Sequence, residues 1–306
     1  MRFLFLWITL FLLEKFGMQN FSLHTHTLGF DGKNTEQEML NKASEKGLKT
    51  IGFSNHFIVH PSVKESKMYY YAVKGGYETI YSSSFVEAIS RFKPHYEKID
   101  ELKEKTKLNL LKGMEVDFFA SQEWWDGFQA ALQILKPDYL IGSAHFIEYK
   151  NTLYNMHDLK NASYTEQQNL LHQYWQNEQK TAASGLFNFM AHLDLPKKVG
   201  LGLEPQWLEE KRNTIETIRA NNVKVELNTS FFKFGSEPYP GPEIMRLLAE
   251  YKIPVLISDD AHNIERLTDH FEQTEQMAKS YGIKNFWQPL NLNILSLKKQ
   301  NTLAEI

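Results

Sequence analysis

Residues Phe21–His26 read Phe-Ser-Leu-His-Thr-His. On a β-strand, successive side chains point to opposite faces, so His24 and His26 share one face while Phe21, Leu23 and Thr25 take the other. Taken alone, a His-x-His pair is an ordinary surface or core feature. Six further runs of strand character follow: Thr50–His56, Leu108–Asp117, Tyr139–His145, Phe187–Leu193, Val223–Ser230 and Val255–Ser258. Their ends change the weight of the first pair. The second run ends at His56, and the third carries Glu115, with Gly113 and Asp117 on the same face. The fourth ends at His145, the fifth carries His192, and the last runs into Asp260 and His262. Parallel strands bring such ends to one mouth, and several imidazoles and carboxylates crowded there need a metal or close pairing.

Helical patterns fall between these runs. Thr35–Gly47 opens with Thr-x-x-Glu (Thr35, Glu38), a capping box, and closes on Gly47. Pro94–Lys105 and Pro205–Ala220 open with proline and carry apolar residues at helical spacing; Pro242–Tyr251 and Ile264–Tyr281 complete the set. Strand and helix in alternation predict an α/β fold with a parallel sheet, open or closed. Two stretches break the rhythm, Pro61–Ser84, rich in Tyr and Ser, and polar Glu148–Tyr164. Both follow a strand, which predicts loops over the C-terminal edge of the sheet, where α/β enzymes place substrates. No linker-like shift or repeat divides the chain, so residues 18–306 read as one domain.

The segment 1–17 is different. Phe3–Leu13 is apolar except for Thr9, too short to span a bilayer. It resembles a weak signal-peptide core, but no small-residue cleavage site follows. The preferred reading is a start upstream of the real one, with Met18 opening a cytoplasmic protein.

Composition narrows the chemistry. The 306 residues are 42% apolar and 23% charged, as in ordinary globular proteins. A net charge of −3 disfavours general nucleic-acid binding, and no stable membrane association is expected. Cysteine is absent, which excludes disulfides, thiolate zinc sites and a thiol nucleophile. Any metal therefore rests on His, Asp and Glu, a donor set that suits zinc, manganese or iron. Carboxylates at Glu115 and Asp260 are placed to bridge two ions, an arrangement for hydrolysis at a carbonyl or phosphorus centre.

The segments FSLHTHTLGFDGKNT, IGFSNHF, LKGMEVDFF, DYLIGSAHFI, FMAHLDLPKKVG, VELNTS with EPYP, and ISDDAH occur in that order. Together they resemble the successive motifs of the PHP superfamily (polymerase and histidinol phosphatase), and most closely its histidinol-phosphatase branch. The resemblance runs from about Asn20 to about Ile283. It implies a distorted (β/α)7 barrel with a metal site at the C-terminal mouth of the strands and three divalent ions (Zn, Mn or Fe). One ion would be held by His24, His26, Glu115 and Asp260, a second by Glu115, His145 and His192, and a third by Asp31, His56 and His262. Asn55 stands where the family usually has an acid, which alters local hydrogen bonding without removing a ligand. Three divalent ions against three carboxylates leave about +3, matched to a phosphomonoester dianion.

The implied reaction is hydrolysis of L-histidinol phosphate, a step of histidine biosynthesis, through in-line attack on phosphorus by a metal-bound hydroxide. The alternative is another small phosphate ester or a nucleotide. A non-enzymatic, binding reading fits poorly with an intact ligand set. Candidates for the general acid are a metal-bound water, His192 or Asp260. Candidate substrate contacts are Asn228, Lys233 and Lys197, with Lys198 beside the last. The aromatic stretch Met68–Tyr81 is a candidate cover for an imidazole ring. His95, His172 and His270 read as helix-surface residues, and His60 and His157 as mouth-loop residues. Asp117, Asp194 and Asp259 read as residues that orient neighbours or turns. The sequence leaves the oligomeric state open.

Overall fold

The computed structural model describes residues 19–289; the apolar segment and the Met18 start lie outside the described residues. Eleven strands lie among the described residues: β1 (Phe21–Ser22), β2 (Thr50–Phe53), β3 (His56–Val59), β4 (Tyr81–Ser82), β5 (Asn109–Asp117), β6 (Tyr139–Ser143), β7 (Phe146–Tyr149), β8 (Thr152–Asn155), β9 (Phe189–Met190), β10 (Lys224–Asn228) and β11 (Val255–Ser258). Seven of them form a parallel path in the order β1-β2-β5-β6-β9-β10-β11. The two ends of this path meet. His26 N donates to Ala261 O at 2.9 Å, and Ala261 N to His24 O at 3.2 Å. Lower down, the Gln19 side chain bridges the gap, donating to Ile257 O (2.5 Å) and accepting from Ile257 N (2.8 Å). The sheet is parallel, as the strand-and-helix alternation predicted, and nearly closed into a barrel, as the resemblance implied.

Inside the barrel, Phe21, Leu23, Tyr139, Ile141, Phe189, Ala191 and Leu256 form one apolar cluster. Tyr139 fits there because Gly113 has no side chain: a Cβ on it would stand 2.2 Å from the ring. The Tyr139 hydroxyl donates to Leu23 O at 2.6 Å, so a buried polar group is satisfied. This plug closes the barrel beneath the histidines.

Nine α-helices lie among the described residues: α1 (Glu36–Glu45), α2 (Lys67–Gly75), α3 (Phe85–Lys103), α4 (Gln122–Leu135), α5 (Met156–Asn161), α6 (Tyr164–Ala183), α7 (Leu208–Ala220), α8 (Pro242–Glu250) and α9 (Phe271–Ser280). The capping box at Thr35 and Glu38 forms as expected. Several boundaries differ. Helix α3 runs straight through Pro94 instead of starting there, because Ala88, Phe92, His95, Tyr96, Ile99 and Leu102 give it a buried face on both sides of the proline. Pro94 itself is exposed, where its missing N–H costs least. The expected second strand divides at Ser54–Asn55, and His56 begins β3 rather than ending β2. The segment 264–270 is turn, and its helix starts only at Phe271.

The two expected loops are structured. Within Pro61–Ser84, Ser66 caps α2 by accepting from Tyr69 N (3.1 Å), and Gly76 ends it at φ 74°. Within Glu148–Tyr164, β7 and β8 form a hairpin, and Asn155 with Asp158 forms a capping box for α5. Among the described residues no helix is long and apolar enough to cross a membrane.

Candidate metal centre

The chain delivers all nine expected ligand residues to one end of the barrel. The first two come from the stretch just beyond β1, where the rings of His24 and His26 lie 5.3 Å apart. Asp31 comes from the following turn, which presses so closely on His26 that a Cβ on Gly32 would lie 2.5 Å from its backbone. Only glycine lets that turn bring Asp31 Oδ1 within 3.3 Å of His26 Nδ1. Asp260 sits just past β11 at φ 48°, a left-handed conformation that Asp tolerates better than most residues.

Glu115, 1% exposed, is the hub. Its Oε2 lies 2.8 Å from His56 Nδ1, 3.2 Å from His24 Nε2 and 3.5 Å from His26 Nε2. Its Oε1 lies 2.9 Å from His192 Nε2 and 3.4 Å from His145 Nε2. Burial alone would raise the Glu115 pKa, but the charges of His56, His24 and His145 hold it well below the usual carboxylate range.

Many of these contacts are close without being hydrogen bonds. His24 Nε2, both nitrogens of His26, His56 Nδ1, His192 Nδ1, Asp31 Oδ1, Glu115 Oε2 and Asp260 Oδ1 are buried with no hydrogen-bond partner. Buried polar atoms are rarely left so, and these are all atoms that ligate metals. Three groups have donor atoms within 4.8 Å of one another: His24, His26 and Asp260; His26, Asp31, His56 and His262; and His56, Glu115 and His145. Ligands about 2.0–2.2 Å from a common ion must stand that close. The residues therefore fit divalent ions. The grouping differs from the implied partition, since His26 stands with Asp31 as well as with His24, and His56 stands with Glu115 as well as with Asp31.

A further layer aims the ligands. His24 Nδ1 faces Glu226 Oε2 at 2.8 Å, which leaves Nε2 toward Glu115. Asp117 accepts from His145 N (2.6 Å) and faces its Nδ1 at 3.0 Å. His262 Nδ1 faces the Asp260 carbonyl at 2.9 Å, leaving Nε2 at 2.9 Å from Asp31 Oδ2. Asn55 shows why an amide suits its place. Its oxygen accepts from Thr27 N (2.8 Å), while its nitrogen lies 3.0 Å from both Thr27 Oγ1 and His95 Nε2. His95 is buried in this network, with Nδ1 2.9 Å from Glu36 Oε1, so it is no surface residue. Its place on the buried face of α3 was hidden by the expected start at Pro94.

A cavity of about 340 Å³ opens on the cluster, lined by Asp31, His56, His145, His192, Asp260 and His262 at one end. Two lysines face it, Lys198 and Lys233. Lys198 is exposed overall, but desolvation of its ammonium at the cavity and the Lys233 charge lower its pKa, with Asp260 opposing. Lys197 does not line the cavity. Its ammonium lies within the fold, donating to Pro238 O (2.7 Å) and Glu237 Oε1 (3.2 Å), with Asp194 Oδ2 at 3.4 Å. Asn228 is likewise turned to structure: its amide donates to Glu226 Oε1 (2.7 Å), and its oxygen accepts from Ser230 N (2.9 Å). The two segments expected as loops also line the cavity, with Met68, Tyr77 and Tyr81 from one and Asn155, Met156 and His157 from the other. Asp259, pushed up to about 7 by burial, accepts from Ser22 Oγ and Thr268 N and stays behind the site.

The family model of the PHP domain matches residues 22–230. The chain belongs to the PHP domain family. A "Probable histidinol-phosphatase" of Deinococcus radiodurans is 30% identical over 163 residues, 51% of this chain and 58% of that protein. The match thus spans little more than half of either chain. Two crystal structures share this PHP fold at low identity. One, a "putative histidinol phosphatase" from Listeria monocytogenes, aligns with TM-score 0.61 and 18% identity, over 83% of this chain and 99% of the other. The other is histidinol phosphate phosphatase from Lactococcus lactis complexed with zinc, L-histidinol and phosphate; it gives TM-score 0.63 and 15% identity, over 88% and 96%. At these identities the structures speak for the fold, a PHP-type barrel.

Proposed function

We propose that this PHP domain is a metal-dependent phosphomonoesterase that hydrolyses L-histidinol phosphate to L-histidinol and phosphate. The observation that carries the phosphoesterase reading is the set of buried, partnerless ligand atoms of His24, His26, Asp31, His56, Glu115, His192 and Asp260, four of which (Asp31, His56, His192 and Asp260) line the cavity. The curated relative supports the substrate. We assign all nine residues, His145 and His262 included, as ligands for up to three ions of zinc, manganese or iron.

Bound divalent ions lower the pKa of water and neutralise phosphoryl charge. The protein supplies the rest. Glu226, Asp117 and the Asp260 carbonyl hold His24, His145 and His262 in the ring orientation that presents Nε2. Lys198 and Lys233 flank the cavity and give point charges to phosphoryl oxygens. Met68, Tyr77 and Tyr81 offer an apolar and aromatic wall to the organic half of the ester. Its alcohol leaves toward His192 and Asp260, two of the candidates for handing it a proton.

The test is phosphate release from L-histidinol phosphate beside p-nitrophenyl phosphate, after loading with manganese, zinc or iron. A kcat/KM above about 10⁴ M⁻¹s⁻¹ on the histidinol ester is expected. Turnover of the aryl ester alone would retain the phosphoesterase and discard the substrate. Replacing His145, a partly exposed ligand, by Ala should cut turnover at least about 100-fold with the fold intact. Full activity in that variant would overturn the scheme.

A further inference from the structure

The EPYP segment, Glu237–Pro240, contributes one group the scheme above does not use. Tyr239 lines the cavity, yet it is only 2% exposed, and its hydroxyl is buried with no hydrogen-bond partner among the described residues. Everything else about this residue is held. Its N donates to Asn228 O (2.8 Å) and its O accepts from Asn228 N (2.6 Å), which ties it to the end of β10. The Lys197 ammonium lies 4.9 Å from its ring centre while donating to Pro238 O, and Asp194 accepts from Gly241 N at 2.7 Å. The ring packs on Phe231 (4.8 Å) on one side and edge-on to His192 (6.1 Å) on the other. A phenol so fixed beside a ligand histidine is preorganised to donate, and an unsatisfied buried hydroxyl is costly to maintain without use.

Its neighbours say what it can do. A tyrosine phenol is ordinarily neutral at physiological pH, so the group carries a proton to donate. The phosphoryl oxygens have the metals and two lysines. Tyr239 lines the same cavity as His192 and Asp260, the two residues toward which the scheme above sends the leaving alcohol.

Building on the phosphatase reading, we propose that Tyr239 is a further catalytic residue, whose hydroxyl donates a hydrogen bond to the leaving oxygen of the phosphomonoester. Water oxygen bonds to phosphorus, and the bond from phosphorus to the ester oxygen breaks with its electron pair on that oxygen. The alcohol keeps the proton that the attacking water gives up, and Tyr239 ends neutral, as it began.

The experiment compares wild type and Tyr239→Phe, both metal-loaded, on L-histidinol phosphate and p-nitrophenyl phosphate. An alkoxide needs the donor and a nitrophenolate hardly does. We expect kcat on the alkyl ester to fall of order 10²-fold, with a loss on the aryl ester at least about tenfold smaller. Equal losses on both esters, or none on either, would overturn the proposal; equal losses would mark Tyr239 as structural, with Asp194 as its partner. If the variant fails to fold, the wild-type dependence of kcat on leaving-group pKa decides: a shallow slope supports the donor and a steep one overturns it. Wild type inactive on both esters would remove the phosphatase reading first, and this inference with it.

Discussion

Oε2 of Glu226 lies 2.8 Å from Nδ1 of His24, and both side chains are fully buried. The same carboxylate accepts from His192 N (2.9 Å), Asn228 Nδ2 (2.7 Å) and Ser258 Oγ (2.6 Å). Four donors converge on an acceptor-only group. Glu226→Gln would set an NH₂ against some of them and remove the charge behind His24. Metal affinity should fall by about 10- to 100-fold, read by competition with a chelator. Unaltered affinity would show that Glu226 does not support the ligand.

Metal uptake should also depend on pH. In the metal-free protein the net pKa of His24 and His56 lies well above the ordinary imidazole value and that of His262 is raised; burial alone would lower all three, but the surrounding carboxylates override it. These rings therefore keep their protons to higher pH than a free imidazole does, and ions must displace them. Affinity should weaken as pH falls from about 8 to 6. Calorimetry at pH 7 in buffers of different ionisation enthalpy should show proton release. The same affinity at both ends of that range would refute the protonated cluster.

Adjacent lysines should behave oppositely. Lys197 is buried against Asp194, Glu237 and Pro238, whereas Lys198 faces the cavity. Lys197→Met leaves a buried acid without its partner and should cost about 3 kcal/mol in urea unfolding. Lys198→Met should change stability by less than about 0.5 kcal/mol and raise KM roughly tenfold. The reverse pattern would show that Lys197, not Lys198, meets the substrate.

Glu178 on α6 is a buried acid with both carboxyl oxygens unpartnered. Burial pushes its pKa well up, aided by Asp117 and Asp194; Tyr174, whose hydroxyl donates to Leu193 O (2.9 Å), only partly offsets this. The folded chain keeps a proton that the unfolded chain releases above about pH 4.3. Stability is thus lost as pH rises through and beyond that point. Glu178→Gln should raise the melting temperature at pH 8 by at least about 2 °C, the size of a 1 kcal/mol change in a domain this long. At pH 4 the gain should vanish. An equal gain at both pH values would mean the carboxyl is not protonated in the fold.

Much of the barrel could be read along the chain because it rests on local signals. Short apolar runs, the Thr35 cap and the proline and glycine punctuation report neighbours a few residues away, and the strands stand where those runs do. The elements lining the cavity were the harder part. Helix α2 carries exposed Tyr70 and Tyr71, so its apolar period is weak, and only Ser66 and Gly76 signal its ends. Pro94 misled because a helix sustained by packing of Phe92 and Tyr96 can carry a proline on its exposed side.

By itself, the sequence determined that His and acid residues end successive strands, and parallel strands oblige those ends to meet. Which lysine faces the substrate was a different matter. Lys197 and Lys198 are the same residue type on one 3₁₀ turn, and nothing local separates them. The separation comes from Glu237 and Pro238, about 40 residues on, which fold back to capture the first ammonium and leave the second to the cavity. Tyr239 is decided in the same way, since an orphaned hydroxyl exists only once β10 and the Asp194 turn have packed around it. Periodicity reports which face a residue takes, but partnership between distant groups is set by three-dimensional packing.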